Sequence, residues 1–213
     1  MNRPKKSLGQ NFLIDQNIIR KILRLKRIYK KNVVEIGPGR GAITDKIIEE
    51  KPNSLILIEK DKTLLDKLKK KYKKEKFIEY LNEDILKVDI EKKIKKNTII
   101  FGNLPYNISS QILVKFLKFR KWPPNFEDLI LMFQKEVAEK ITGKSYGRLS
   151  IIANYRLKIL NKFHISANCF FPKPKVNSSI LHFSPIINSN IKIKNIDNLE
   201  NITNIFFSSK RKM

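Results

Sequence analysis

The chain has 213 residues, the size of one ordinary domain with a short appendage, and at 41% hydrophobic it can bury a real core, which excludes global disorder. A single cysteine, Cys169, and two separated histidines, His164 and His182, exclude a disulfide framework and a clustered metal site, and no apolar run reaches the roughly 20 residues of a membrane span. Lys and Arg number 45 against 20 Asp and Glu; the net charge of +25 favours a polyanionic partner, although an AT-rich genome also writes lysine, isoleucine and asparagine into any surface.

The basic stretch from Met1 to Lys6 leads into Gly9-Gln10-Asn11 rather than an apolar signal core, so a cytoplasmic protein is expected. From there short apolar runs alternate with helical patterns, which predicts a parallel α/β sheet. Asn32 to Ile36 reads as a buried strand, followed by a glycine turn and a helix with Ile43, Ile47 and Ile48 on one face. Ser54 to Ile58 is a second strand, and Asp61 is placed to cap a helix carrying Leu64, Leu65 and Leu68. Phe77 to Leu81 and Thr98 to Phe101 are the third and fourth strands. Ser109 or Ser110 is placed to cap a helix with Ile112, Leu113, Phe116 and Leu117. Leu129 to Phe133 is a fifth strand, and Val137, Ala138 and Ile141 line the helix after it. Right-handed crossovers put these helices on both faces of the sheet.

From Tyr146 the pattern changes. A helix through Leu149, Ile152 and Ala153 precedes two strand-like runs, Leu157 to Ile165 and Val176 to Phe183. The Pro172-Lys173-Pro174 segment between them is no central strand, because proline lacks the ladder donor. A polar stretch after Pro185 leads to a last helical pattern with Leu199, Ile202, Ile205 and Phe206. The boundary is set at Pro185: residues 1–185 as the catalytic domain, 186–213 as a linker and helical remnant.

Two glycine- and acid-bearing turns point to a ligand. In Glu35-Ile36-Gly37-Pro38-Gly39-Arg40-Gly41, a strand ends in Gly37 and Gly39 and opens a helix, which brings backbone amides close to a ligand. Glu59, ending the second strand, is placed to accept from both hydroxyls of a ribose, so an adenosine-containing cofactor is expected. The G-x-G-x-G spacing differs from that of dinucleotide binders and resembles the first motif of class I methyltransferases. Asp84, after the third strand, is placed to bond the exocyclic amine of the cofactor's adenine.

Asn103-Leu104-Pro105-Tyr106, directly after the fourth strand, resembles the active-site tetrad of amino-group methyltransferases. The N6 lone pair of adenine is delocalised into the ring, so a site helps by accepting both N6 hydrogens. The Asn103 side-chain carbonyl can take one and a backbone carbonyl, Leu104 foremost, the other, with Pro105 fixing the turn. Tyr106 offers a face for base stacking.

Five blocks in order resemble the ribosomal RNA adenine dimethylases: Ser7 to Leu13, Asn103 to Ser109, Leu131 to Val137, Tyr146 to Ser150 and Phe170 to Ser178. The resemblance implies a class I S-adenosylmethionine-dependent methyltransferase fold, Rossmann-like, with its last strand antiparallel. It implies two methyl transfers to N6 of each of two adjacent adenosines in the 3′-terminal hairpin loop of small-subunit ribosomal RNA, on the immature 30S particle. Carried over by position, the contacts to S-adenosyl-L-methionine are Asn11, Leu13, Gly37, Glu59, Asp84 and Asn103, and Tyr106 and Phe170 clamp the base. Phe171, beside Phe170, is a candidate to swap roles with it. Neither a metal nor a strong general base is needed, since methylated N6 bears an acidified proton that water removes. A monomer working away from membranes is expected. Family members continue with a small helical domain, of which residues 206–212 resemble the basic first helix. Two other readings stand beside this one: a large-subunit methylase of the macrolide-resistance type, and a non-catalytic RNA-binding assembly or transcription factor.

Overall fold

The computed structural model describes residues 4–5, 9–143, 147–187, 193 and 195–208. Ser7, Leu8, Tyr146 and residues 209–213, which belong to stretches singled out above, lie outside the described residues. In chain order the elements are β1 (Phe12–Leu13), α1 (Gln16–Leu23), β2 (Asn32–Ile36), α2 (Ala42–Glu49), β3 (Ser54–Ile58), α3 (Lys62–Lys71), β4 (Ile78–Leu81), α4 (Ile90–Lys93) and β5 (Thr98–Gly102). Then follow α5 (Ser109–Leu117), β6 (Phe126–Gln134), α6 (Lys135–Ile141), α7 (Arg148–Arg156), β7 (Leu157–Ile165), β8 (Phe170–Phe171), β9 (Ser178–Pro185) and α8 (Ile196–Ser208).

Seven strands form one sheet in the order β4-β3-β2-β5-β6-β9-β7. The pairs from β4 to β6 are parallel, and β9 runs antiparallel to both β6 and β7. Strand alternation sorts the apolar residues into two layers. Val33, Leu55, Leu57, Ile99, Phe101, Ile130 and Met132 pack with α1, α2 and α3 through Ile19, Ile22, Ile43, Ile47 and Leu68. Val34, Ile36, Ile58, Ile100, Leu129, Leu131 and Leu181 pack on the other face with Ile112, Leu113, Phe116, Ile141 and Ile152. Near-continuous apolar strands are what a parallel sheet covered on both faces demands.

Most helix ends follow the local chemistry. Asp61 caps α3 by accepting from Thr63 N at 3.0 Å, as its position predicts. The expected serine cap of α5 is corrected: Ile108 precedes the helix, with no side-chain cap. Ser109 is buried, and its hydroxyl donates to the Tyr106 carbonyl at 3.2 Å instead. The last long strand starts at Ser178, two residues after Val176, because Asn177 is engaged elsewhere: its carbonyl accepts from Lys135 N and its Oδ1 from Ala167 N.

The α8 helix lies on the same body as α5 and α7. Ile196 and Thr203 are buried, Lys118 bridges Asp197 and Glu200, and Trp122 Nε1 donates to Ile186 O at 2.8 Å. Its apolar residues divide: Leu199 packs on the core, while Ile202, Ile205 and Phe206 are exposed. Among the described residues, no helix is long and apolar enough to cross a membrane, and no group of three or more His, Cys, Asp or Glu is placed to hold a metal ion.

A second, two-stranded sheet joins the ends of the fold. Phe12 pairs with Phe171 and Leu13 with Phe170, antiparallel. Two-residue strands carry no periodicity, and sequence reasoning missed them.

Candidate active site

Sheet register assembles the site. Strand order reverses between β2 and β5, the switch point at which open α/β sheets hold ligands beyond the strand ends. Ile36 lies level with Gly102 on one side and with Ile58 on the other. The residues that follow each, Gly37, Asn103 and Glu59, therefore emerge side by side.

Backbone geometry explains the glycine turn after β2. Gly39 has φ +58°, and a Cβ on it would press on the Phe12 ring at 2.9 Å. Gly41, at φ +84°, opens α2, and a Cβ there would collide with the Tyr72 hydroxyl and Leu68. Both positions need the left-handed region and the missing side chain at once.

Two clefts meet here and share Gly37 and Pro105. The first, about 640 Å³, is lined by Asn11, Leu13, Gly37, Gly39, Glu59, Asn103, Leu104, Pro105 and Tyr106 among others. Nine of the positions expected from sequence thus meet in one place. The second, about 610 Å³, is walled by Ile36, Ile58, Ile85 and Ile108 with Asp84 at its edge. Glu83, Lys60 and Asn107 also line it, and its isoleucine walls could hold a flat ring with Asp84 at the ring's edge.

The polar groups are held by short bonds. Glu59 is buried, and its two carboxylate oxygens accept from Gly39 N at 3.2 Å and Asp61 N at 2.9 Å. Burial pushes its carboxyl up against the pull of those amides. Lys60 Nζ, 2.9 Å from Asp84, holds that carboxyl below its usual range. Asn103 Nδ2 donates to Asn11 O at 3.1 Å, which fixes the amide and commits its nitrogen to the wall. The Tyr106 hydroxyl lies 2.6 Å from the buried Ser178 hydroxyl, so the first residue of β9 sets the ring's position.

One expected site residue is corrected. Phe170 is only 3% exposed, shares a core layer with Leu13, Ile19 and Ile165, and lines neither cleft. The cause is the β1–β8 pairing: alternation turns Phe170 inward and Phe171 outward, the latter 50% exposed. Of the proposed aromatic pair, Tyr106 alone faces the cleft.

Several contributors carried no legible role. Gln10 Nε2 donates to Asp61 Oδ2 at 3.0 Å and Lys5 Nζ reaches the same oxygen at 3.0 Å, pinning the N-terminal segment over the cleft. Glu35 is buried in β2 and accepts from the Thr44 hydroxyl at 2.6 Å; burial pushes its carboxyl up to about 8. The acid ahead of the glycine turn was a visible signal for Glu35. No local pattern marks the Gln10–Asp61 contact, which joins segments distant in sequence.

Strand order, the antiparallel β9 and a cleft at the switch point define a class I methyltransferase fold. The family model described as ribosomal RNA adenine dimethylase matches residues 1–213. The ribosomal RNA small subunit methyltransferase A of Pelagibacter ubique is 45% identical over 215 residues, covering 99% of this chain and 81% of that protein. A dimethyladenosine transferase from Plasmodium falciparum superposes with a TM-score of 0.81 at 31% identity, over 95% of this chain and 72% of that one. The 23S rRNA methyltransferase ErmE shares the fold, with a TM-score of 0.76 at 24% identity over 94% of this chain and 80% of its own. The chain belongs to the ribosomal RNA adenine dimethylase family.

Proposed function

We propose that this protein dimethylates N6 of two adjacent adenosines in the 3′-terminal hairpin loop of small-subunit ribosomal RNA, acting on the immature 30S particle. S-adenosylmethionine supplies the methyl group as an electrophilic sulfonium. The observation that carries the reading is the fixed amide of Asn103 in the first cleft, two residues before Pro105, which both clefts share. With Nδ2 committed to Asn11 O, its carbonyl oxygen is left to accept an incoming amine. The Leu104 carbonyl takes the second N6 hydrogen, and Tyr106, braced on Ser178, stacks on the base. As the N6–methyl bond forms, the methyl–sulfur bond breaks, and the N6 proton leaves to water.

The donor set fits the cofactor. Glu59 takes the ribose hydroxyls, exchanging its present amide partners for them in part, while Asp84 reads the adenine amine between Ile36, Ile58 and Ile85. Asn11, Leu13, Gly37 and Gly39 close the cleft around the rest. Glu59→Ala is expected to weaken S-adenosylmethionine at least about tenfold without unfolding the protein, since a charge-assisted acceptor in a buried site is worth about 1.5–3 kcal/mol. Calorimetry that gives an unchanged affinity would remove Glu59 from the site.

Residues 1–185 act as the catalytic unit, and 186–213 as a linker leading into a helical segment. The protein works as a cytoplasmic monomer. Incubation with immature small subunits and radiolabelled cofactor, followed by mass mapping of modified bases, tests the function. Two dimethylated neighbouring adenosines support it; label in large-subunit RNA points to the macrolide-resistance type, and RNA retention without label to a binding factor.

A further inference from the structure

The outward face of β8 carries an aromatic that the proposed reaction leaves unused. Phe171 is half exposed, and one such residue on a surface signifies nothing by itself. Its surroundings are what matter. Register sets Phe171 opposite Phe12, and the Arg40 guanidinium carbon lies 4.5 Å from the Phe12 ring centroid and 5.7 Å from that of Phe171. Phe12 and Arg40 both line the cleft that holds Asn103 and Tyr106, whereas Phe171 does not, so Phe171 stands just outside its rim.

The Arg40 cation is set against both rings, and of the two rings Phe171 is the one left half open to solvent. An exposed π-face beside a fixed positive charge is the combination that captures single-stranded nucleotides: the ring stacks on a base, and the guanidinium faces phosphate charge. Tyr106 already serves one base from inside the cleft. We propose that Phe171, with Arg40 behind it, forms a second stacking subsite at the rim, for the nucleotide next to the one being methylated. The inference rests on the proposed RNA substrate. It also gives the outward turn of Phe171 a purpose that the buried Phe170 cannot serve.

The test uses the full chain, immature small subunits and three substitutions. Phe171→Ala is expected to raise KM for the particle roughly 5- to 150-fold, the range for loss of one base stack. The effect falls on KM rather than kcat, and S-adenosylmethionine affinity by calorimetry stays within twofold. Phe171→Trp should keep KM at or below that of the parent, because it preserves the π-face. Phe171→Leu separates stacking from packing, since it retains apolar bulk against Phe12 and Arg40 without a π-face. A raised KM for the leucine variant supports the subsite; a parental KM for it overturns the subsite even if the alanine variant fails to fold. Absence of RNA methylation by the parent protein sinks the functional reading instead, so the two failures are distinguishable.

Discussion

Asn103→Ala is expected to fold normally and to lose about two orders of magnitude in turnover, the usual consequence of removing one oriented hydrogen-bonding partner from a transition state. The side chain has two ends with separate duties. Its Nδ2 donates to Asn11 O and ties the N-terminal segment to the turn after β5, while its carbonyl is the group proposed to accept from the substrate amine. Alanine removes both. Asn103→Asp keeps an acceptor at the same place and loses the donor, so comparison of the two variants divides chemistry from scaffolding. Cofactor affinity for the alanine variant should fall by less than tenfold, because Glu59, Gly37 and Leu13 still line the cleft. Rapid-quench measurement of the first methyl transfer reads the chemical step directly. A rate within threefold of the parent would refute the role given to the carbonyl.

The largest stability effect is expected far from the chemistry. Asp128, near the amino end of β6, is 1% exposed. His182 Nε2 lies 3.0 Å from its Oδ1, and Lys26 Nζ makes an ion pair with Oδ2 at 2.6 Å, poorly aligned for a hydrogen bond. The Asn161 amide approaches the other imidazole nitrogen at 3.3 Å. Burial pushes the Asp128 carboxyl up, but His182 and the Lys26 ammonium outweigh it and hold the group below its ordinary 3.8. Asp128→Ala takes the partner from the buried His182 imidazole, while Lys26 keeps Glu127 at 2.7 Å, so the loss is about 1.5–3 kcal/mol. For a chain of this length that lowers Tm by roughly 3–12 °C. Replacing Asp128 and His182 together by leucine should recover part of the loss, since an apolar pair leaves no stranded imidazole. The sign with pH follows from the lowered carboxyl. Its contribution is fully present above the ordinary value of 3.8 and is lost as pH falls through the depressed one. The stability difference between parent and Asp128→Ala should therefore shrink in strong acid. Equal melting temperatures for the two proteins at neutral pH would show that the pair contributes nothing.

Strands β2, β3, β5 and β6 were legible because parallel strands buried on both faces are written as near-continuous apolar runs. Asp61 was legible as a cap because its position before an apolar helical repeat leaves it little else to do. The four turns at the strand ends gave the site, since register brings whatever follows each strand to one level. What could not be read depends on pairing between distant segments. Nothing local in Phe12-Leu13 announces a strand, and without that strand nothing decides which of Phe170 and Phe171 turns inward. Ser109 offered a cap by residue type, but its burial under the turn gave its hydroxyl to Tyr106 instead. Lys26, in the turn after α1, Asp128 in β6 and His182 in β9 likewise come from three separate segments, and none predicts the others.

The small β1–β8 sheet bears on how the protein comes into being. On a ribosome, the chain through α7 already holds β2 to β6 and the turns that line the two clefts. The wall of the cleft formed by Phe12 and Leu13 still has no partner at that stage, because Phe170 and Phe171 have yet to be made. Closing so long a loop carries an entropic cost that only the finished β7–β9 hairpin, by holding β8 in place, can offset. Phe12 and Leu13 thus gain their strand partners late, and a product truncated before Phe170 keeps the turn from Asn103 to Tyr106 but not the paired wall beside it.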